Sequence, residues 1–189
     1  MKNLDYLKDN KFKIKFPYDL RYWDKMIRQN STTAEAIAKV RWNFVNSINA
    51  KNVLDYGCGP GWFRAFRPEG IRVDTYDIAP WPQTEITCEQ YDLITFWDVF
   101  EHIENHDILK PLFKGADFIA LAIPILPKDQ DLIEWKHFKP GEHIHYFTEK
   151  GLKTYLSKYG FTLIKKGTPE CPPRKDISSF LFKNKNSIH

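Results

Sequence analysis

Apolar residues recur at helical spacing through Ala34, Ile37, Ala38, Trp42, Val45 and Ile48. Thr32 with Glu35 fits a capping box ahead of them, so the pattern predicts a helix over about residues 33–48. The period then changes. Short apolar runs at 53–55, 71–77, 91–97 and 117–124 read as buried parallel strands, and the first three end at or beside an acidic residue. The run at 117–124 is nearly continuous, which suits a central strand. Between the first two runs there is room only for a short helix, 62–66, broken by Pro68-Glu69-Gly70. Pro80 and Pro82 forbid a regular helix after the second run, and a third strand near 85–88 would be short. Residues 124–147 form the longest irregular stretch. Thr148 then caps a helix with Leu152, Tyr155 and Leu156 inward and Gly160 closing it. Two last strands fall near 161–164 and 178–182, and the join between them is too short for a crossover helix, which predicts an antiparallel pairing. Residues 11–16 alternate lysines with apolar residues and read as an edge strand with its lysines in solvent.

This alternation predicts one α/β domain over 1–189, with an N-terminal extension and helix (1–50) before the core (51–189). The sheet should be twisted, Rossmann-like and mostly parallel, with an antiparallel last strand and little chain around its second and third strands. Ligands of such sheets bind beyond the carboxyl ends of the strands. Three of those ends carry candidate chemistry. The first runs Val53-Leu54-Asp55-Tyr56-Gly57-Cys58-Gly59-Pro60-Gly61-Trp62, an acid and three alternating glycines. Glycine has no side chain and tolerates positive φ, so this loop suits a backbone that lies against a ligand. The dinucleotide fingerprint G-x-G-x-x-G is not met, since Trp62 holds the sixth position, and no G-K-S/T follows. The second end carries Asp77, about 20 residues beyond the first glycine, where doubly wound folds place a ribose-binding acid. The alternative for Asp77 is a cap on the turn Ile78-Ala79-Pro80. The third end carries Trp97-Asp98.

Composition narrows the class. A net charge of +4 is mild and does not demand nucleic acid. The 15% aromatic content argues for a packed core, and three scattered cysteines fit neither a disulfide framework nor a zinc pattern. No signal peptide or run of about 18 apolar residues is present, so a cytoplasmic protein without membrane association is expected.

The glycine segment resembles motif I of the class I S-adenosyl-L-methionine (SAM) dependent methyltransferases, a hydrophobic run followed by Asp/Glu-x-Gly-x-Gly-x-Gly. Residues 91–102 are similar to the fourth-strand motif of many small methyltransferases, and His145-Tyr146-Phe147-Thr148 with Leu152, Leu156 and Gly160-Phe161 to their late helix and sixth strand. With Tyr22-Trp23, the whole resembles small, mostly uncharacterised phage and prophage proteins of this superfamily. The resemblance implies SAM as cofactor, with Asp55, Gly57, Gly59 and Gly61 around its methionine part and Asp77 on its ribose. Ile78 would pack on adenine, and Trp97 and Asp98 would line the methionine end. The chain departs from that pattern between Asp77 and Tyr91, where the usual second helix and full third strand have no room.

Such a reaction moves a methyl group from a sulfonium to an acceptor atom, and a weakly acidic acceptor needs a base. His137, His143 and His145 lie in or beside the long loop after the fifth strand and are the candidates. The alternative for His143 and His145 is to hydrogen-bond that loop to the body. His102 is expected behind the fourth strand. Residues Asp98-Val99-Phe100-Glu101-His102 resemble ubiquinone-pathway O-methyltransferases, whose acidic-x-x-Glu-His holds a divalent metal. Metal-free relatives share the Glu-His pair, so no metal is assigned. The expected function is methylation of a small-molecule or sugar-like acceptor. The rivals are a non-catalytic module of the same fold acting through a protein partner, and base methylation of nucleic acid. The last lacks the Asn/Asp/Ser-Pro-Pro-Tyr/Phe or Pro-Cys signature.

Overall fold

A computed structural model describes residues 5–8, 21, 24, 31–79, 84, 90–170, 172 and 174–187. The segment 11–16 and the third strand near 85–88 lie outside them. Helix α1 (Ser31–Val45) runs on into a 3-10 turn, Asn46–Ile48, and buries Ala38, Trp42 and Val45 as the spacing requires. Thr32 falls inside α1 rather than capping it.

The parallel strands follow the apolar runs: β2 (Asn52–Tyr56), β3 (Arg72–Tyr76), β4 (Tyr91–Trp97) and β5 (Ala116–Pro124). A short strand, β1 (Tyr6–Lys8), precedes them. After β5 come β6 (His145–Phe147), β7 (Phe161–Gly167) and β8 (Ile177–Asn184). Six strands form one sheet in the order β3-β2-β4-β5-β8-β7, with β8 antiparallel to both neighbours as the short join predicted. Val53 stands opposite Val73 and Leu93 in register, so the ends of β3, β2 and β4 reach one edge together.

Both sheet faces are covered, which is why the strands read as continuous apolar runs. Val53, Val73, Leu93 and Leu181 pack with Trp42 of α1 and with Phe63 of α2 (Trp62–Ala65) on one face. Leu54, Ile94, Phe96 and Phe180 pack on the other with Phe147 and with Leu152 and Leu156. The last two belong to α4 (Glu149–Ser157), whose cap Thr148 accepts a bond from the Gly151 N–H. A short α3 (Lys110–Lys114) precedes β5.

One expectation is corrected. The irregular stretch ends at His145, because β6 pairs antiparallel with β1 in a two-stranded sheet. The rest of that loop is held by its own small core of Leu126, Leu132, Trp135 and Tyr146.

Candidate functional site

The glycine loop leaves β2 with all three glycines at positive φ: Gly57 at 78°, Gly59 at 51° and Gly61 at 81°. Their reasons differ. A Cβ on Gly57 would come within 2.3 Å of Val99, so this residue backs directly onto the turn after β4. Among the described residues nothing lies within 4 Å of that position at Gly59 or Gly61, and both face open space there. The Gly57 and Cys58 N–H groups both donate to the Tyr76 carbonyl, at 2.7 and 3.0 Å, which ties the loop to the end of β3.

Asp77 fastens the same loop. Its Oδ2 accepts from the Gly59 N–H at 2.8 Å and its Oδ1 from the Ala79 N–H at 2.9 Å. The turn-capping alternative is therefore realised, with the loop as a second client of the same carboxylate. Ile78 beside it is 81% exposed, an uncovered apolar side chain on the adenine side of the expected pocket. Asp55 is buried at the end of β2 and accepts from Thr95 Oγ1 at 2.8 Å. Burial pushes its pKa up to about 6, against the Thr95 bond and the charge of Arg41.

Trp97 is buried, and its indole Nε1 has no partner among the described residues. The Arg41 guanidinium lies over its ring, 5.1 Å from the centroid. Asp98 follows at φ 61°, in the left-handed region. Its carboxylate is gripped by two arginines: Oδ2 accepts from Arg41 Nη2 and Arg174 Nη1, each at 2.8 Å, and Oδ1 from Arg174 Nη2. Glu170 bridges the same two arginines, with Oε1 2.7 Å from Arg41 Nε and Oε2 2.6 Å from Arg174 Nη1. The four form a neutral ring joining α1, the end of β4 and the β7–β8 connection. Sequence reasoning missed Arg41, Glu170 and Arg174. One signal existed: Arg41 stands on the apolar face of α1, in phase with Ala34, Ala38 and Val45.

The second cluster lies just beyond. Phe100–His102 is a 3-10 turn, and the His102 ring meets that of His143 edge-on at 4.8 Å. Glu101, His102 and His143 offer ligand atoms all within 4.8 Å of one another, a set that could hold a metal ion. Glu101 Oε2 and His143 Nδ1 are buried with no partner among the described residues. Burial and the neighbouring charge of Asp98 raise the Glu101 pKa well above the carboxylate range. Desolvation lowers that of His143 to about 3, so its imidazole is neutral. His102 Nδ1 lies 2.7 Å from the Glu142 carbonyl, the outer contact that orients ligating imidazoles. His137 stacks parallel to His143 at 6.5 Å, and its buried Nε2 has no partner among the described residues.

His145 is set apart from this group. Its Nδ1 pairs with Tyr6 OH at 2.9 Å and its Nε2 with the Ile103 carbonyl at 2.8 Å. With both nitrogens occupied it pins the β1–β6 pair to the turn after β4, and the expectation of a base there is corrected.

A parallel sheet with a glycine loop at the end of β2, an acid at the end of β3 and polar clusters beyond β4 defines a Rossmann-like class I methyltransferase. The profile of the family described as "Methyltransferase domain" matches residues 22–166, and the chain belongs to that family of SAM-dependent enzymes. No curated protein sequence matches significantly. Among solved structures, human N-acetylserotonin methyltransferase in complex with SAM superposes with a TM-score of 0.64 at 12% identity. That match covers 87% of this chain and 55% of the human one. Mitomycin 7-O-methyltransferase gives 0.63 at 12% identity, over 86% and 56% of the two chains. Magnesium protoporphyrin IX methyltransferase from Synechocystis PCC 6803, with bound SAH, gives 0.55 at 17% identity, over 90% and 91%. The chain thus spans little more than half the length of the first two. At these identities the likeness is one of fold. Among the described residues no helix is long and apolar enough to cross a membrane.

Proposed function

We propose that this protein methylates an oxygen of a small-molecule or sugar-like acceptor seated between the glycine loop and the Glu101–His102–His143 cluster. The observation that carries this reading is the loop itself: Gly59 and Gly61 present bare backbone to open space while Asp77 and Tyr76 hold the loop from behind. That cradle fits SAM, which when bound supplies the methyl group on a sulfonium. Asp55, Gly57, Gly59 and Gly61 then border its methionine part and Asp77 sets the ribose end through its hold on Gly59. Ile78 offers an apolar surface to the adenine. Trp97 and Asp98 wall the methionine end.

The protein's own contribution is orientation and proton transfer. His143 suits the role of base poorly, because an imidazole whose pKa is driven to about 3 takes a proton weakly. His137, beside it with an Nε2 that has no partner among the described residues, is the remaining acceptor for the hydroxyl proton, although burial lowers its pKa as well. A divalent cation is favoured by the two orphaned atoms, Glu101 Oε2 and His143 Nδ1, although the sequence alone assigned none. Glu101, His102 and His143 would hold it, and neutral imidazoles with a carboxylate suit several such ions. The cation would lower the pKa of an acceptor hydroxyl.

Thermal melting with SAH tests the binding half of this proposal. Ligand at about 100 times its Kd stabilises the fold by about 2.7 kcal/mol, a clear rise in Tm. An unchanged Tm at millimolar SAH would favour the non-catalytic module instead. For the acceptor half, His137→Ala should leave SAH binding intact and depress turnover at least tenfold; full turnover would exclude His137 as the base.

A further inference from the structure

We infer that Arg41 and Arg174 withhold Asp98 from the cation site, so that the site presents two imidazoles and one carboxylate rather than a fourth protein ligand. The inference rests on the cation reading given above. Asp98 stands three residues before Glu101, yet it is not among the side chains whose ligand atoms converge. Its oxygens are already spoken for. Arg174 takes both of them in a fork, and Arg41 adds a third bond to Oδ2. A bidentate guanidinium–carboxylate pair is among the stronger hydrogen-bonded arrangements, and here it is partly buried, where screening is weak.

The arginines cannot simply follow Asp98 toward a cation. Glu170, whose side chain is 1% exposed, holds both of them from the far side. Releasing Asp98 would leave two guanidiniums facing one carboxylate, an unbalanced positive charge in a confined place. Each carboxylate of the ring is therefore matched, whereas Glu101 and His143 both keep an orphaned atom. The contrast divides the acids after β4 into one that organises the turn and one that awaits a ligand. Three protein ligands leave more of a divalent ion's coordination shell for acceptor oxygens than four would.

Mn2+ titration of the purified full chain, with affinity from calorimetry and bound-water number from water-proton relaxation, tests this. Asp98→Asn should leave the relaxivity of bound Mn2+ unchanged, because no ligand of the ion is lost, whatever the unbalanced arginine charge does to affinity. Arg174→Gln should free Asp98, tighten Mn2+ at least fivefold and lower the relaxivity of the bound ion as a carboxylate replaces a water. Adding Asp98→Asn to Arg174→Gln should reverse both effects. A rise in the relaxivity of bound Mn2+ in Asp98→Asn alone, with folding verified by circular dichroism, would show that a protein ligand has been replaced by water, hence that Asp98 is already a ligand, and overturn the inference. So would an Arg174→Gln protein that is folded but unchanged in affinity and relaxivity. If the unaltered protein binds no Mn2+, the cation reading itself fails and takes the inference with it, an outcome separate from a site that binds but ignores Arg174.

Discussion

Replacing Asp77 by alanine removes the acceptor for two backbone donors at once, the Gly59 and Ala79 N–H groups. Each buried donor left unmatched costs about 1–3 kcal/mol. Asp77→Ala should therefore lower stability in denaturant melts and weaken SAH at least tenfold, because the loop it holds is the cradle. Asp55 makes the opposite prediction for stability. Its folded pKa, about 6, lies above the ordinary carboxylate value, so the folded protein binds more protons than the unfolded chain between pH 4 and 6. Stability then falls as pH rises through that window, and at pH 8 the buried charge costs about 3 kcal/mol. Asp55→Asn should raise Tm at pH 8 and make little difference near pH 3.5, as read from paired thermal melts.

At the scale of elements, the contact between α4 and the chain before β1 is the tightest test of packing. A Cβ on Gly151 would lie 1.6 Å from the Asp5 carbonyl oxygen, an overlap with backbone that no rotamer relieves. The same carbonyl accepts from the Thr148 N–H at 3.0 Å, so Asp5 is held against the first turn of the helix. Gly151→Ala should cost about 1–3 kcal/mol, as overpacking does. It should also speed amide exchange across the β1–β6 pair relative to the main sheet. This pairing was not legible beforehand. Strands of three residues carry too little alternation to announce themselves, and the central pair, Leu7 and Tyr146, lies 139 positions apart. The central strands β4 and β5 were legible because each is buried on both faces and so reads as a nearly unbroken apolar run. The glycine loop was legible for a related reason: only backbone that must turn sharply and stay bare uses glycine at every second position. The charged ring was not, since it joins residues 41, 98, 170 and 174 that come together only after the sheet has formed. The sequence left His143 open between base and loop anchor, and its burial, which lowers its pKa to about 3, is not visible in the sequence.

For the molecule as a whole, acid stability should be governed by buried imidazoles. His106 stacks on Phe100 at 3.9 Å, with Nδ1 2.9 Å from Tyr155 OH and Nε2 2.7 Å from the Phe100 carbonyl. Desolvation depresses its pKa to about 4, below the value near 6.5 in the unfolded chain. The unfolded chain therefore binds more protons in that interval, and the stability gained from a neutral His106 is lost as pH falls from about 6.5 to about 4. A chemical-denaturation series on Asp55→Asn, which removes the opposing Asp55 contribution, should show the decline across that range, and adding His106→Gln should flatten it. The same molecule joins two arrangements at one edge of its sheet: a glycine loop braced from behind by Asp77 and Tyr76, and a polar cluster after β4 with two orphaned ligand atoms. Their conjunction is the ground for reading the chain as a working methyltransferase. The most direct measurement is calorimetric titration of SAH into the unaltered protein and into Gly59→Val. Gly59 has open space where its Cβ would be, so the valine should fill the cradle without a clash, at the cost of its strained φ. The account expects saturable binding to the unaltered protein and at least a tenfold loss in a folded Gly59→Val. Equal binding by both, or none by the unaltered protein at millimolar SAH, would contradict it.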